Sequence, residues 1–171
     1  SVVSGEIKPL CKTNAYAFKG GTKDDLITIR LKPAGPLDSR IRVLDPDSLQ
    51  VILKDTTGGH LNSIEDLQLL KNGEYTIEIT SIQGDQTGGY SLGLFSRRQA
   101  LNDAVEIRLS VPVNDSITEN VDMDFFYFDW YIAGAVSLSL DPDGSTFKST
   151  LQAIDPQGTV ISNTEAVDGN P

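Results

Sequence analysis

The chain has 171 residues, of which 39% are hydrophobic, with one cysteine, one histidine and a formal net charge of −10. That length admits one large or two small domains. Cys11 stands alone, so an intrachain disulfide is excluded and the thiol reads as a small buried hydrophobe. No apolar stretch approaches the roughly 18 residues of a membrane span. The charge is uneven: residues 1–100 hold 12 acidic and 12 basic side chains, and residues 101–171 hold 12 acidic against Arg108 and Lys148. Without a cluster of Lys and Arg, a nucleic-acid partner is excluded. The acidic half fits solubility first, and cations or basic partners second.

In chain order the periodicity is that of strands. Leu26 to Leu31 turns Ile27, Ile29 and Leu31 to one face, with Thr28 and Arg30 on the other, the two-residue period of a half-buried strand. Ser63–Leu70 suits a short helical turn or an irregular strand equally well. Tyr75–Thr80, Tyr90–Leu94, Val105–Val111 and Val136–Leu140 all alternate again. Between these segments lie turn residues: Gly20-Gly21, Pro33 to Pro36, Gly58-Gly59, Asn72-Gly73, Gly88-Gly89, Asp143-Gly144 and Gln157-Gly158. The stretch Ser96–Asp103 has no Gly or Pro and is expected to be a semi-rigid link. Its Arg97-Arg98 pair reads as solvated, with a paired-basic processing site as the alternative. The whole is all-β.

The segment Asn14–Pro46 is written again, degenerately, from Asp124 to Pro156. Tyr16 and Phe18 stand against Phe126 and Phe128. Ile27, Ile29 and Leu31 stand against Val136, Leu138 and Leu140, and Ile41 to Asp45-Pro46 against Leu151 to Asp155-Pro156. The offset is about 110 residues, the length of a common β-sandwich, so the expectation is two copies of one module. Residues 1–98 form the first. Residues 104–171 form the second, expected to lack the counterparts of Gly73–Thr80 and Gly89–Leu94.

Gly73-Glu-Tyr75-Thr-Ile77-Glu-Ile79 followed by Gly88-Gly89-Tyr90-Ser-Leu92-Gly-Leu94 resembles the closing strands of bacterial pre-peptidase C-terminal domains. Gly5-Glu-Ile7 with Tyr16-Ala-Phe18 is similar to the family's opening. The second copy, Asp122-Met-Asp124-Phe125-Phe126-Tyr127-Phe128, is nearer to it than Asn14-Ala15 of the first. Leu37-Asp38 to Asp45-Pro46, and Leu151 to Asp155-Pro156-Gln-Gly158, match its central strand and turn. The resemblance implies two tandem jelly-roll-like antiparallel sandwiches, the second truncated, in a secreted bacterial protein. It also implies a place behind a protease, a collagen- or polysaccharide-binding role, or a place in a surface array.

Catalytic chemistry finds little footing. His60 has no Ser or Cys partner in a recognisable motif, and one His with one Cys cannot supply a zinc site. Calcium is the metal to weigh: Asp122 and Asp124 share a strand face, and Asp141-Pro-Asp143-Gly144 makes an acidic turn. The densest aromatic run is Phe125 to Tyr131. With Phe126 and Phe128 inside, Phe125, Tyr127, Trp130 and Tyr131 face out as a binding face or as a contact with a neighbouring module. The expectation is therefore a non-enzymatic extracellular or cell-surface pair that binds or spaces. Its partners are neighbouring modules of the same or another chain, or a polysaccharide or collagen-like polymer. The alternatives are a subunit of a surface layer or filament completed by strand addition, and an accessory domain of a secreted protease.

Overall fold

Alternation of apolar and polar residues between Val2 and Ser96 produces eight strands, because only one face of each can be withdrawn from water. A computed structural model describes residues 1–9, 13–108, 110–116, 123–129, 134–141, 150–156 and 159–165, and Cys11 falls outside them. The chain divides into two units, Ser1–Phe128 and Asp129–Pro171. The strands are β1 (Val2–Ile7), β2 (Thr13–Gly21), β3 (Leu26–Pro33), β4 (Ser39–Leu44), β5 (Gln50–Thr56), β6 (Asn62–Gln68), β7 (Gly73–Ser81) and β8 (Gly88–Ser96).

Two antiparallel four-stranded sheets result, ordered β1-β8-β3-β6 and β2-β7-β4-β5. The pairs β1·β8, β2·β7, β3·β6 and β4·β5 are nested, as in one long hairpin. Rolling that hairpin up brings β8 beside β3 and β7 beside β4. This is the eight-stranded jelly roll. Inward residues of both sheets form the core, among them Ile29, Leu31, Ile41, Val43, Ile77 and Ile79, all 1% exposed or less. Phe18 stacks on buried Tyr75, ring centroids 5.4 Å apart, at the margin of this core. Ser63–Leu70 resolves as an irregular strand: β6 pairs with β3 through a register shift, and Asp66 takes a φ of 51°. Gly88-Gly89, expected in a turn, instead opens β8.

The link is a short helix, α1 (Arg97–Asp103). Asp25 holds its start, accepting hydrogen bonds from Ser96 Oγ at 2.6 Å and from the Arg98 backbone N–H at 3.2 Å. Arg97 pairs with Asp66 at 2.5 Å and its side chain is only 12% exposed, so it is not a solvated linker residue.

After the helix the elements are short. β9 (Val105–Glu106) runs parallel to β10 (Phe126–Tyr127). β11 (Thr150–Ile154) and β12 (Val160–Glu165) form an antiparallel hairpin. That hairpin repeats β4–β5 pair for pair. Arg40↔Asp55, Ile41↔Lys54, Arg42↔Leu53, Val43↔Ile52 and Leu44↔Gln50 become Thr150↔Glu165, Leu151↔Thr164, Gln152↔Asn163, Ala153↔Ser162 and Ile154↔Val160. The irregularity between Val43 and Leu44 recurs between Ala153 and Ile154. The turns agree as well. Asp45 donates its N–H to the Leu49 carbonyl (2.8 Å) and accepts the Leu49 N–H on Oδ1 (2.9 Å). Asp155 does the same with Thr159, at 2.9 and 2.7 Å. An Asp side chain that bonds backbone a few residues on fixes a loop by itself, which explains why this piece of the repeat is so closely kept.

Other parts of the repeat differ. Tyr16 and Phe18 lie on β2 and pair antiparallel with β7, whereas Phe126 pairs parallel with Val105. Phe126 is 39% exposed, where the repeat register with Tyr16 places it in the core. Residues 136–140 form no regular strand, and Leu138 and Leu140 are 38% and 49% exposed. Among the described residues of Val105–Val111, only the first two are strand. The physical reason is local. β3 is gripped on both edges by β6 and β8, and 136–140 have no such neighbours among the described residues. A second sandwich is thus not visible in the described residues, although a hairpin with the register of β4–β5 is.

Candidate functional site

The aromatic run is carried by β10. Backbone bonds from Val105 N–H to the Phe125 carbonyl (3.0 Å) and from Ile107 N–H to the Tyr127 carbonyl (2.8 Å) hold it against β9. Successive side chains of a strand point to opposite faces. Phe126 and Tyr127 are nonetheless both exposed, at 39% and 43%, so each face of this two-stranded ribbon is open. Phe125 and Phe128 are half-buried. The expected split of inward Phe126 and outward Phe125 is therefore reversed at those two positions, while Tyr127 faces solvent as expected. Exposed Val105, opposite Phe126, extends the apolar surface. Trp130 and Tyr131 lie outside the described residues.

Of the acidic candidates, Asp124 and Asp141 are described and exposed; Asp122 and Asp143 lie outside the described residues. Among the described residues no three His, Cys, Asp or Glu side chains gather as a metal site would require. His60 is exposed beside the Gly58-Gly59 turn, whose φ angles of 70° and 68° are the left-handed values that favour glycine.

Sequence reasoning missed a polar cluster at the β1–β2 end of the sandwich. Asn14 Nδ2 donates to the Glu6 carbonyl (2.8 Å) and to the Tyr90 hydroxyl (2.6 Å), which lies 2.8 Å from the Tyr16 hydroxyl. Beside it lies an open hollow of about 550 Å³, lined by Ser4, Gly5, Glu6, Lys8 and Asn14. Gly5 is required there: a Cβ at this position would sit 2.5 Å from the Tyr90 ring. The signal was available, since Gly5, Tyr16 and Tyr90 were each noted, but only the fold brings them together.

Elsewhere the ionic groups serve the scaffold. Lys71 bonds Asp45 (2.5 Å) and Asp47 (2.6 Å) across the β4–β5 turn. The Lys71 ammonium and the Leu49 and Asp47 N–H groups hold the Asp45 carboxyl below its ordinary range, and both carboxylates push Lys71 up. Arg40 grips Asp55 through two bonds of 2.7 Å, lowering the carboxyl and raising the guanidinium.

No family model and no curated protein matches the sequence. Among solved structures, the chain is distantly similar to the pre-peptidase C-terminal domain of a collagenase from Bacillus anthracis. Identity is 13% and the TM-score 0.44, over 56% of this chain and 88% of that one. It is also similar to PliG from Aeromonas hydrophila, a periplasmic inhibitor of g-type lysozyme, at 14% identity and TM-score 0.39 over 57% and 85% of the two chains. A third is a carbohydrate-binding module in complex with calcium and xylotriose, at 12% identity and TM-score 0.34 over 48% and 72%. No helix among the described residues is long and apolar enough to cross a membrane.

Proposed function

We propose that the chain is a non-catalytic pair of modules from a secreted or cell-surface bacterial protein, residues 1–98 and 104–171, and that it binds an extracellular polymer such as a polysaccharide or a collagen-like chain. The observation that carries this reading is the placement of Phe126 and Tyr127, both well exposed on one short ribbon within the densest aromatic run of the sequence. Exposed rings held on a strand offer flat apolar platforms beside polar neighbours, here Asp124 and Asp129. The pair-for-pair identity of the two hairpins supports the tandem organisation. The family resemblance of the opening and closing strands supports the extracellular setting.

Pull-down on insoluble polysaccharides and on collagen tests the reading. Tyr127→Ala, Phe126→Ala and Trp130→Ala are expected to abolish retention with the melting temperature unchanged. A parent chain that is never retained on either polymer class removes the proposal. Calcium through Asp122, Asp124, Asp141 and Asp143 is the accompanying proposal, and coincident thermal melts with and without chelator would dismiss it. A second reading, a structural subunit completed by strand addition, is favoured by one observation. Leu151 and Ala153 of β11 are only half-buried, whereas their counterparts Ile41 and Val43 are fully covered.

A further inference from the structure

The turn into β7 joins two residues whose chemistry the fold leaves unshielded. Asn72-Gly73 is the single Asn-Gly pair of the sequence, and Gly73 opens the strand. The fold itself imposes the glycine: its φ is 136°, and a Cβ there would sit 2.9 Å from Pro46 Cγ. The backbone nitrogen that follows Asn72 therefore has no side chain beside it.

The bonds on the amide set Asn72 apart from the other asparagines of the sandwich. Asn14 Nδ2 is tied to the Glu6 carbonyl (2.8 Å) and to the Tyr90 hydroxyl (2.6 Å). Asn62 Nδ2 is tied to the carbonyls of Ser39 (3.2 Å) and Lys54 (3.1 Å), and the residue is fully buried. At Asn72 the pattern is inverted. Its Oδ1 accepts the Lys23 backbone N–H at 2.7 Å, a bond that fixes which atom of the amide is the oxygen. Its Nδ2 meets no partner among the described residues, and the residue is exposed.

We infer that Asn72 is a site of spontaneous self-modification, at which the Gly73 nitrogen displaces the side-chain amide and the chain ages to aspartyl and isoaspartyl forms. Hydroxide removes the Gly73 N–H proton, the nitrogen bonds to Asn72 Cγ, and the carbonyl electron pair moves onto Oδ1. The Lys23 N–H already points at the oxygen on which this charge develops, as a donor of an oxyanion hole does. The pair then returns, the Cγ–Nδ2 bond breaks, and Nδ2 takes a proton from water to leave as ammonia, which regenerates hydroxide. Water opens the resulting five-membered imide. Attack at Cγ gives an ordinary aspartate; attack at the main-chain carbonyl routes the backbone through Cγ and lengthens it by one methylene. That methylene enters at the first residue of β7, a strand bonded on both edges, where Gly73 pairs with Gly21. The isoaspartyl chain loses this pair.

The test is peptide mapping by mass spectrometry of the full chain, held for weeks in mildly alkaline buffer, folded and in concentrated urea. In the folded chain, conversion at Asn72 is expected to be at least tenfold faster than at Asn14 and Asn62. A following glycine favours Asn72 in any conformation, so the urea arm isolates the contribution of the fold. Unfolding should speed conversion at Asn14 and Asn62 at least tenfold, since their amides must first be released by local opening. It should leave the rate at Asn72 unchanged. Protection of Asn72 by the fold as large as that of Asn14 and Asn62 overturns the inference, and so does a folded chain in which Asn72 converts no faster than Asn62. The isoaspartyl form, separated by ion exchange, should melt below the Asn72→Asp variant, whose main chain is unaltered. Coincident melts would overturn the stated consequence for β7.

Discussion

The hairpins β4–β5 and β11–β12 share backbone register, bulge position and turn chemistry, yet one is half of a packed four-stranded sheet and the other a two-stranded ribbon among the described residues. The comparison separates what a sequence writes locally from what neighbours must supply. An Asp that closes its own turn, followed by a strand of alternating residues, fixes register within a dozen residues. Burial of that strand's inward face requires β7 and the facing sheet, which the hairpin itself does not contain.

The sharpest way to break the contrast is to delete matched inward side chains. Ile41→Ala should cost about 3–4 kcal/mol in urea unfolding, the range for a fully buried aliphatic residue. Leu151→Ala, half-buried, should cost less than about 1.5 kcal/mol. Equal losses would mean that β11 is as enclosed as β4. Next come the turn aspartates. Asp45→Ala removes acceptors for two N–H groups and for Lys71, with an expected fall in the urea midpoint smaller than that of Ile41→Ala in the same assay. Asp155→Ala should leave the unfolding of the β1–β8 sandwich unchanged and accelerate amide exchange within β11–β12 alone.

Acid titration tests the brace that Lys71 gives to the first turn. Asp45 and Asp55 have folded-state pKa values below their unfolded values. Their contribution is therefore complete above roughly pH 4 and is lost as pH falls through the depressed values. Lys71→Met should move the acid midpoint of unfolding to higher pH, followed by circular dichroism. The smallest effect concerns Ser48, held at a φ of 61° in the β4–β5 turn. The second writing of the repeat has Gly158 at the matching place. Ser48→Gly should change stability by less than about 1 kcal/mol, toward greater stability, measurable as a small rise in Tm.

Much of the sandwich was legible because its signals are local. The alternations at Leu26–Leu31, Tyr75–Thr80 and Tyr90–Leu94 fall inside β3, β7 and β8. The strand nature of Ser63–Leu70 was not legible, since its apolar spacing serves either periodicity and only pairing with β3 decides it. The helix α1 hides in a stretch read as a link: Arg, Gln, Ala and Leu favour helix, but its start depends on Asp25, some seventy residues earlier. The ring run at 125–131 stands out in the sequence as a candidate face, yet the repeat register with Tyr16 and Phe18 assigns Phe126 inward, because it presumes a sheet that covers one side. At β10 the ribbon has two strands and two open faces. The Asn14–Tyr16–Tyr90 cluster is legible only as separate residues, since its members meet when β1, β2 and β8 converge.

The nested pairing of the β1–β8 sandwich carries a kinetic consequence. Only β4 and β5 meet across a short loop, and each further pair encloses the one before it, until the Ser1 amine bonds the Leu94 carbonyl at 2.9 Å. The tip at Asp45 can form within about 1–10 μs, as hairpins do. Closing the outermost strands must wait for loops of rising length, whose entropy is lost before their contacts return it. Folding should therefore proceed as a zipper from Asp45 outward, completed on the millisecond-to-second scale of β-sandwiches, with β1 and β8 the last strands to dock and the first to come undone.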